Sequence, residues 1–237
     1  MAILAFPPIK TANEHGLLAR GGDLEPESLL LAYRSGIFPW PVTEDGELLW
    51  FAPPKRAVLN LKDFQLSRSM QRVLSKSEFK FAVNKNCFEV ITACQSIVNR
   101  PSQHGTWITD EMKAAYLELN RLGFVHSLEC YRGEELVGGV YGVCIGQAFA
   151  AESMFYRYPN ASKAALWILG QYLQAQGATW IDCQIINPHL SSLGVIEISR
   201  DEFIKKHLAM VAKTKIEFSS ECLNSLLSSM ETSKKLR

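Results

Sequence analysis

The sequence predicts an α/β protein in which a small N-terminal α+β domain precedes a larger mixed-sheet domain. Two observations carry this reading. Residues 136–145 and 147–153 are β-rich runs punctuated by glycine, with Gly146-Gln147 between them as the turn. One amphipathic helix and one short strand then follow. Asn160 is placed to cap that helix, whose apolar stripe is Ala161, Ala164, Ala165, Ile168, Leu169 and Tyr172. Gly177 ends it, and residues 178–185 return as a strand.

The elements before the hairpin are read in order. Gly21-Gly22-Asp23 is a turn, and Pro26 suits the first turn of a helix through Leu29, Leu30 and Tyr33 that Gly36 ends. Phe38-Pro39-Trp40-Pro41 cannot continue as helix. Residues 48–51 form a short strand closed by Pro53-Pro54, which sets the domains at 1–55 and 56–237, with 56–59 as a linking strand. Ser67 caps a helix over 67–76, residues 79–83 are a strand, and 88–98 a helix. Thr109 caps the next helix, with Asp110 and Glu111 favourable in its first turn. Its apolar face is Met112, Ala115, Tyr116, Leu119 and Leu122, and Gly123 stops it. Residues 124–131 are a strand, and Arg132-Gly133 turns into the hairpin. Beyond Gln184, Asn187-Pro188 and 191–194 form a loop and 201–210 a helix; the Ser- and Lys-rich tail from Ser219 is expected to fray.

Composition narrows the class. With 47% apolar and 21% charged residues, the 237-residue chain is an ordinary globular protein. Its apolar stretches break well before the ~18 residues of a membrane span, and its N-terminus lacks a secretory pattern, so a cytoplasmic protein is expected. The six cysteines include no C-x-x-C pair and the five histidines show no ligand spacing, so neither a disulfide framework nor a structural metal is expected. Charge is unevenly spread. Residues 55–85 hold eight Lys or Arg against Asp63 and Glu78, whereas residues 107–155 hold three basic against seven acidic side chains. Arg68, Arg72 and Lys76 recur every four residues and form one basic stripe, suited to a polyanion or simply to solvent.

The strand after the crossover helix carries the strongest chemistry. A hairpin, a crossover helix and a further strand form the core of many acyl-transfer enzymes. Asp182 and Gln184 stand two apart and share one face of that strand. An acid near an acyl centre orients or deprotonates an attacking amine, and an amide hydrogen-bonds the amine and a developing oxyanion. The plainer reading of Asp182 is a hydrogen-bonded core acid closing a strand. A hydrolase with Cys183 as nucleophile and His189 as base is disfavoured, because the pleat turns Cys183 to the other face. Glu152 either selects a cationic group or pairs with Arg157, and its pattern favours the pair. Trp40, Trp107 and Tyr116 frame a flat base or fill the core. The helix entry at residues 157–161 has no glycine for a pyrophosphate, which argues against coenzyme A.

Ten short motifs in order carry a resemblance. They are Gly16-Leu-Leu-Ala19, Gly21-Gly-Asp-Leu24, Ala32-Tyr33, Gly36-Ile-Phe-Pro-Trp40, Thr106-Trp-Ile-Thr109, Leu136-Val-Gly-Gly139, Glu152-Ser-Met-Phe155, Asn160-Ala-Ser-Lys163, Ile181-Asp-Cys-Gln184 and Ser192-Leu-Gly194. The chain resembles the bacterial leucyl/phenylalanyl-tRNA–protein transferases. Phe155-Tyr156-Arg157, where Phe-Ser-Arg is expected, and Tyr158-Pro159 depart from the pattern.

The resemblance implies an acetyltransferase-like (GNAT-type) fold for the larger domain. It also implies transfer of leucine or phenylalanine from Leu-tRNA or Phe-tRNA to proteins with N-terminal Arg or Lys, marking them for N-end degradation. By the same resemblance, Asp182 and Gln184 are the catalytic pair, either orienting the amine and relaying its proton or only positioning the substrates. Trp40 and Trp107 hold the terminal adenosine with Tyr33 and Tyr116 close by, and Glu152 with Ser153 sits at the aminoacyl site. Val140, Leu166, Leu169 and Ile181 line the pocket for the amino-acid side chain. Arg68, Arg72 and Lys76 grip the acceptor-stem phosphates. No cofactor, metal or membrane is implied, and a monomer is expected. The alternatives are a coenzyme A-dependent N-acetyltransferase and a non-catalytic RNA-binding protein.

Overall fold

The hairpin at residues 135–156 is the middle of a seven-stranded mixed sheet. The computed structural model describes residues 2–40, 47–76, 78–97, 99–100, 103–104 and 108–235. The N-terminal part contains β1 (Leu17–Arg20), α1 (Pro26–Arg34), β2 (Phe38–Trp40) and β3 (Leu49–Phe51), whose strands form a separate antiparallel sheet ordered β1-β3-β2. Then come β4 (Lys55–Asn60), α2 (Arg68–Lys76), β5 (Phe79–Val83), α3 (Cys87–Gln95), the small hairpin β6 (Asn99–Arg100) with β7 (Gln103–His104), and α4 (Asp110–Arg121). The chain continues as β8 (Val125–Arg132), β9 (Glu135–Ile145), β10 (Ala148–Tyr156), α5 (Ala161–Ala175) and β11 (Trp180–Asp182). It closes with α6 (Pro188–Ser192), β12 (Ile196–Ser199), α7 (Arg200–Val211) and α8 (Ser220–Lys235).

The large sheet runs β12-β4-β11-β10-β9-β8-β5. All its pairs are antiparallel except β10 with β11, which α5 joins as a crossover. One face packs against α5 and α8, through residues such as Ala165, Leu169, Tyr172 and Leu223. The other packs against α1, α3 and α4, through Leu29, Val90, Tyr116 and Leu119. This second cluster also holds Ile37 and Trp50, so the N-terminal part shares its core with the larger domain.

Local chemistry explains most starts and stops. Thr109 Oγ1 accepts the Met112 N–H at 3.2 Å to open α4, and Asn86 does the same for α3 through Glu89 N–H. Gly138 lets α5 sit directly on β9, since a Cβ there would lie 2.6 Å from Ala161 Cβ and 2.8 Å from Ala161 C.

Four expectations need correction. The loop expected around 187–194 contains α6, opened by Asn187 Oδ1, which accepts the Leu190 N–H at 2.8 Å. Asn160 precedes α5, but at φ 68° it makes no side-chain cap; it serves as a left-handed corner between β10 and the helix. From Ser220 to Lys235 the tail is helical rather than frayed. It is α8, because Leu223, Leu226, Leu227 and Met230 recur at helical spacing and pack against the core. Strand β11 ends at Asp182 rather than running to 185, because Gln184 takes φ 56° and turns the chain. The short strands β1 and β12 were not expected; both are brief edge strands with little apolar alternation.

Candidate active site

The site begins with an irregularity in β10. Its register with β9 slips between Ala151 and Ser153, which face Gly142 and Tyr141 respectively, so Glu152 is the extra residue of a β-bulge. The bulge inverts the alternation of the strand. Phe149 and Ala151 face α5 before it, and Met154 does so after it. Beyond Ala150, β10 and β11 also cease to pair, and Glu152 stands where the two parallel strands part.

Each oxygen of Glu152 has a donor. Oε2 accepts from the Tyr116 hydroxyl at 3.0 Å, and Oε1 accepts from Gln184 Nε2 at 3.1 Å. Tyr116 on α4 and Tyr33 on α1 join hydroxyl to hydroxyl at 2.7 Å, both buried. Burial pushes the Glu152 carboxyl up to about 7, with the hydroxyls of Tyr33 and Tyr116 partly opposing the rise. Burial and the Glu152 charge hold both tyrosines well above 10, so they are neutral hydroxyls.

Gln184 leads from Glu152 to Asp182. The Gln184 backbone N–H donates to Asp182 Oδ1 at 3.0 Å. Arg56 of β4 then grips Asp182 with both arms, Nε to Oδ1 at 2.7 Å and Nη2 to Oδ2 at 2.6 Å. Both side chains are almost wholly buried, at 2% and 3% exposure. The guanidinium lies between the rings of Phe38 and Phe203, 4.4 Å from each centroid. Behind it, His207 Nε2 meets the Tyr33 carbonyl at 2.7 Å, which makes that nitrogen the donor. Burial lowers the His207 pKa, and a small cavity of about 10 Å³ lies among Tyr33, Asp182 and His207.

The structure thus links Tyr33, Tyr116, Glu152, Gln184 and Asp182 into one continuous hydrogen-bonded chain. Ser153 is buried next to Glu152 on the bulged strand. Trp40 is partly buried on β2 with its ring 5.9 Å from Phe38, the same Phe38 that covers Arg56. Trp107 lies outside the described residues. Val140, Leu166, Leu169 and Ile181 do come together, but each is at most 2% exposed within the core layer beneath α5. Arg68, Arg72 and Lys76 are all exposed on α2, next to the β5 edge of the sheet. That edge is four strand spacings from β11, about 19 Å.

One reading is overturned, and the reading of Cys183 as an inert thiol is upheld. Glu152 does not pair with Arg157, which instead donates to the Leu136 carbonyl at 3.3 Å and lies over the Phe155 ring. Cys183 is buried with its Sγ toward the Ile181 carbonyl, and burial pushes its thiol pKa up, so it is no nucleophile. Two residues of the site escaped the sequence reading, Arg56 and His207. The signal for Arg56 was a charge beginning the apolar run Ala57-Val58-Leu59. No such signal marks His207, which sits in a helix of mixed polarity.

Comparison with known proteins gives the lineage. The family model described as leucyl/phenylalanyl-tRNA protein transferase matches residues 58–208, and its N-terminal domain model matches residues 22–54. A leucyl/phenylalanyl-tRNA–protein transferase from Flavobacterium johnsoniae is 49% identical over 201 residues, 85% of this chain and 94% of that protein. One from Syntrophus aciditrophicus is 50% identical over 85% of this chain and 83% of its own length. One from Erwinia tasmaniensis is 46% identical over 92% of this chain and 93% of its own. Likeness to solved structures is slighter: L-PGS from Bacillus licheniformis gives a TM-score of 0.38 at 14% identity over 75% of this chain and 64% of that one. Matched by the family model over residues 58–208 and by relatives nearly half identical across most of its length, the chain belongs to the leucyl/phenylalanyl-tRNA–protein transferase family.

Proposed function

We propose that this protein moves leucine or phenylalanine from its tRNA ester to the α-amine of proteins that begin with Arg or Lys, marking them for N-end degradation. The observation that carries this reading is the chain Tyr33–Tyr116–Glu152–Gln184–Asp182 at the point where β10 and β11 part. It supplies acceptors for an amine and amide or hydroxyl donors for a carbonyl within one cluster. No covalent intermediate is needed, because the amine attacks an already activated ester. The enzyme contributes orientation, proton management and stabilisation of charge on the carbonyl oxygen.

In this reading Asp182 positions Gln184, which reaches both Glu152 and the reacting groups. Trp40, Trp107, Tyr33 and Tyr116 hold the terminal adenosine, with Ser153 beside the aminoacyl group. The apolar layer at Val140, Leu166, Leu169 and Ile181 receives the leucine or phenylalanine side chain by parting beneath α5. An apolar pocket favours such unbranched-at-Cβ chains by shape and desolvation. The exposed stripe Arg68, Arg72 and Lys76 meets the acceptor stem without reading sequence.

Asp182→Ala tests the assignment. A transferase loses turnover at least tenfold while its affinity for Phe-tRNA changes little. A purely RNA-binding protein transfers nothing with either chain, and an N-acetyltransferase takes its acyl group from acetyl-coenzyme A instead.

A further inference from the structure

We propose that Glu152, and not Asp182, takes the proton from the attacking α-amine and delivers it to the departing ribose oxygen, with the Tyr116–Tyr33 hydroxyl pair adapting to either state. The inference rests on the transfer reaction proposed above.

The two carboxylates differ in whether the groups around them can accept a hydrogen bond. Asp182 receives three, two from Arg56 and one from the Gln184 backbone N–H. A guanidinium and a backbone N–H only donate. A proton on either oxygen of Asp182 would therefore face donors, and Arg56 would become a buried cation without a counter-charge. At 2% exposure the residue also has no path for an incoming amine. Asp182 is thus met by donors on every side shown.

Glu152 has neighbours of another kind. Its Oε2 meets a hydroxyl, and that hydroxyl meets a second one at 2.7 Å in an arrangement where either oxygen can donate. With Glu152 charged, Tyr33 donates to Tyr116 and Tyr116 to Oε2. With Glu152 protonated, the run reverses, and Oε2–H donates to Tyr116. Gln184 at Oε1 carries both an NH₂ and a carbonyl, so turning its amide also serves either state. Glu152 is only partly buried, and it stands on the bulge just past the last pairing of β10 with β11.

The proton balance is closed. The amine nitrogen bonds to the ester carbonyl carbon while the π pair moves to oxygen, and the resulting ammonium gives its proton to Glu152. The carbonyl then re-forms, the bond to the ribose 3′ oxygen breaks, and that oxygen takes the proton from Glu152. The carboxylate ends as it began.

The electrostatics agree with this geometry. Glu152 is raised to about 7, close to the ~7.7–8.0 of a free α-amine, which suits exchange with it. The groups facing it are Tyr33 from α1, Tyr116 from α4, Tyr141 from β9, Asp182 from β11 and Arg56 from β4. The three tyrosines stay neutral, and from α3 only the thiols of Cys87 and Cys94 approach, behind Tyr141. Glu152 is thus the group of this cluster that changes charge near neutral pH.

The test follows single-turnover transfer of phenylalanine from Phe-tRNA to an Arg-initiated peptide from about pH 5.5 to about pH 9, for wild type, Glu152→Gln and Asp182→Asn. The wild-type acid limb should contain two ionisations, the acceptor amine and Glu152. Glu152→Gln should slow transfer by about 100-fold or more and leave one ionisation, whereas Asp182→Asn slows transfer but keeps both. Infrared titration of ¹³C-glutamate-labelled protein, which needs no activity, should show a carboxyl titrating near 7 that Glu152→Gln removes. An unchanged limb in Glu152→Gln, a lost ionisation in Asp182→Asn, or no such carboxyl in the infrared overturns the proposal. Absence of transfer by wild type at every pH overturns the parent reaction, and this inference with it.

Discussion

Arg56 holds Asp182 through two parallel hydrogen bonds of 2.7 and 2.6 Å, between a strand that begins the large domain and one near its end, 126 residues apart. A planar fork meeting a carboxylate in this way fixes orientation as well as distance. Because Asp182 in turn holds the Gln184 backbone, the arginine sets the position of the amide that reaches Glu152.

Removing one partner of this pair should be worse than removing both. Arg56→Met leaves a buried carboxylate alone and is expected to cost about 3–5 kcal/mol of stability. Arg56→Met with Asp182→Leu restores an apolar fit between Phe38 and Phe203 and should recover most of that loss. Denaturant unfolding of the two variants measures the difference. Equal stability of single and double variants would show that the pair is not a closed unit.

Glu152 should make stability depend on pH in a definite direction. Its folded value near 7 lies above the ordinary 4.5, so the native state holds more protons than the unfolded chain between the two. Below about 4.5 both states are protonated and Glu152 imposes no penalty. As pH rises through 7 that advantage is lost, by about 3–4 kcal/mol at most. Glu152→Gln, which stays neutral, should therefore match wild type at low pH and become the more stable protein above neutrality. Thermal melts across that range read the crossover.

The seat of α5 on β9 should tolerate no added methyl. Gly138→Ala puts a Cβ against Ala161, where both contacts fall below 3.0 Å, and is expected to cost about 1–3 kcal/mol as helix and strand separate. The same shift moves the helix that covers the apolar layer, so transfer should weaken along with stability.

The basic stripe should act on the donor as a polyanion. Arg68→Glu with Arg72→Glu is expected to weaken Phe-tRNA binding and to flatten its salt dependence by about two in log–log slope. A minimal aminoacyl-adenosine donor, which has no stem phosphates, should be used as well as before. Equal loss with both donors would remove the stripe from the donor site.

Much of this architecture was legible in the residues because local rules and tertiary packing agree. Turn glycines, the caps at Thr109 and Ser67, and the 3.6-residue stripe of α5 each point to the element observed. Asp182 and Gln184 stood out for their spacing, although they come together through a turn at Gln184 and not through strand alternation. What was hidden depends on distance along the chain. Arg56 finds Asp182, Tyr33 finds Tyr116 and His207 finds the Tyr33 carbonyl across separations of 126, 83 and 174 residues. The bulge at Glu152 was hidden for another reason: one extra residue in a strand leaves the same run of β-forming residues and changes only its pairing. The tail helix escaped notice because serines and lysines outnumber the few residues of its packed stripe.

The transfer itself is read from the mass of an acceptor peptide. The protein is mixed with Leu-tRNA or Phe-tRNA and a peptide that begins with Arg, beside the same peptide beginning with Asp. The Arg peptide should gain the mass of one leucine or phenylalanine residue while the Asp peptide gains nothing. An unchanged Arg peptide, or one that gains an acetyl group from acetyl-coenzyme A instead, would contradict that transfer.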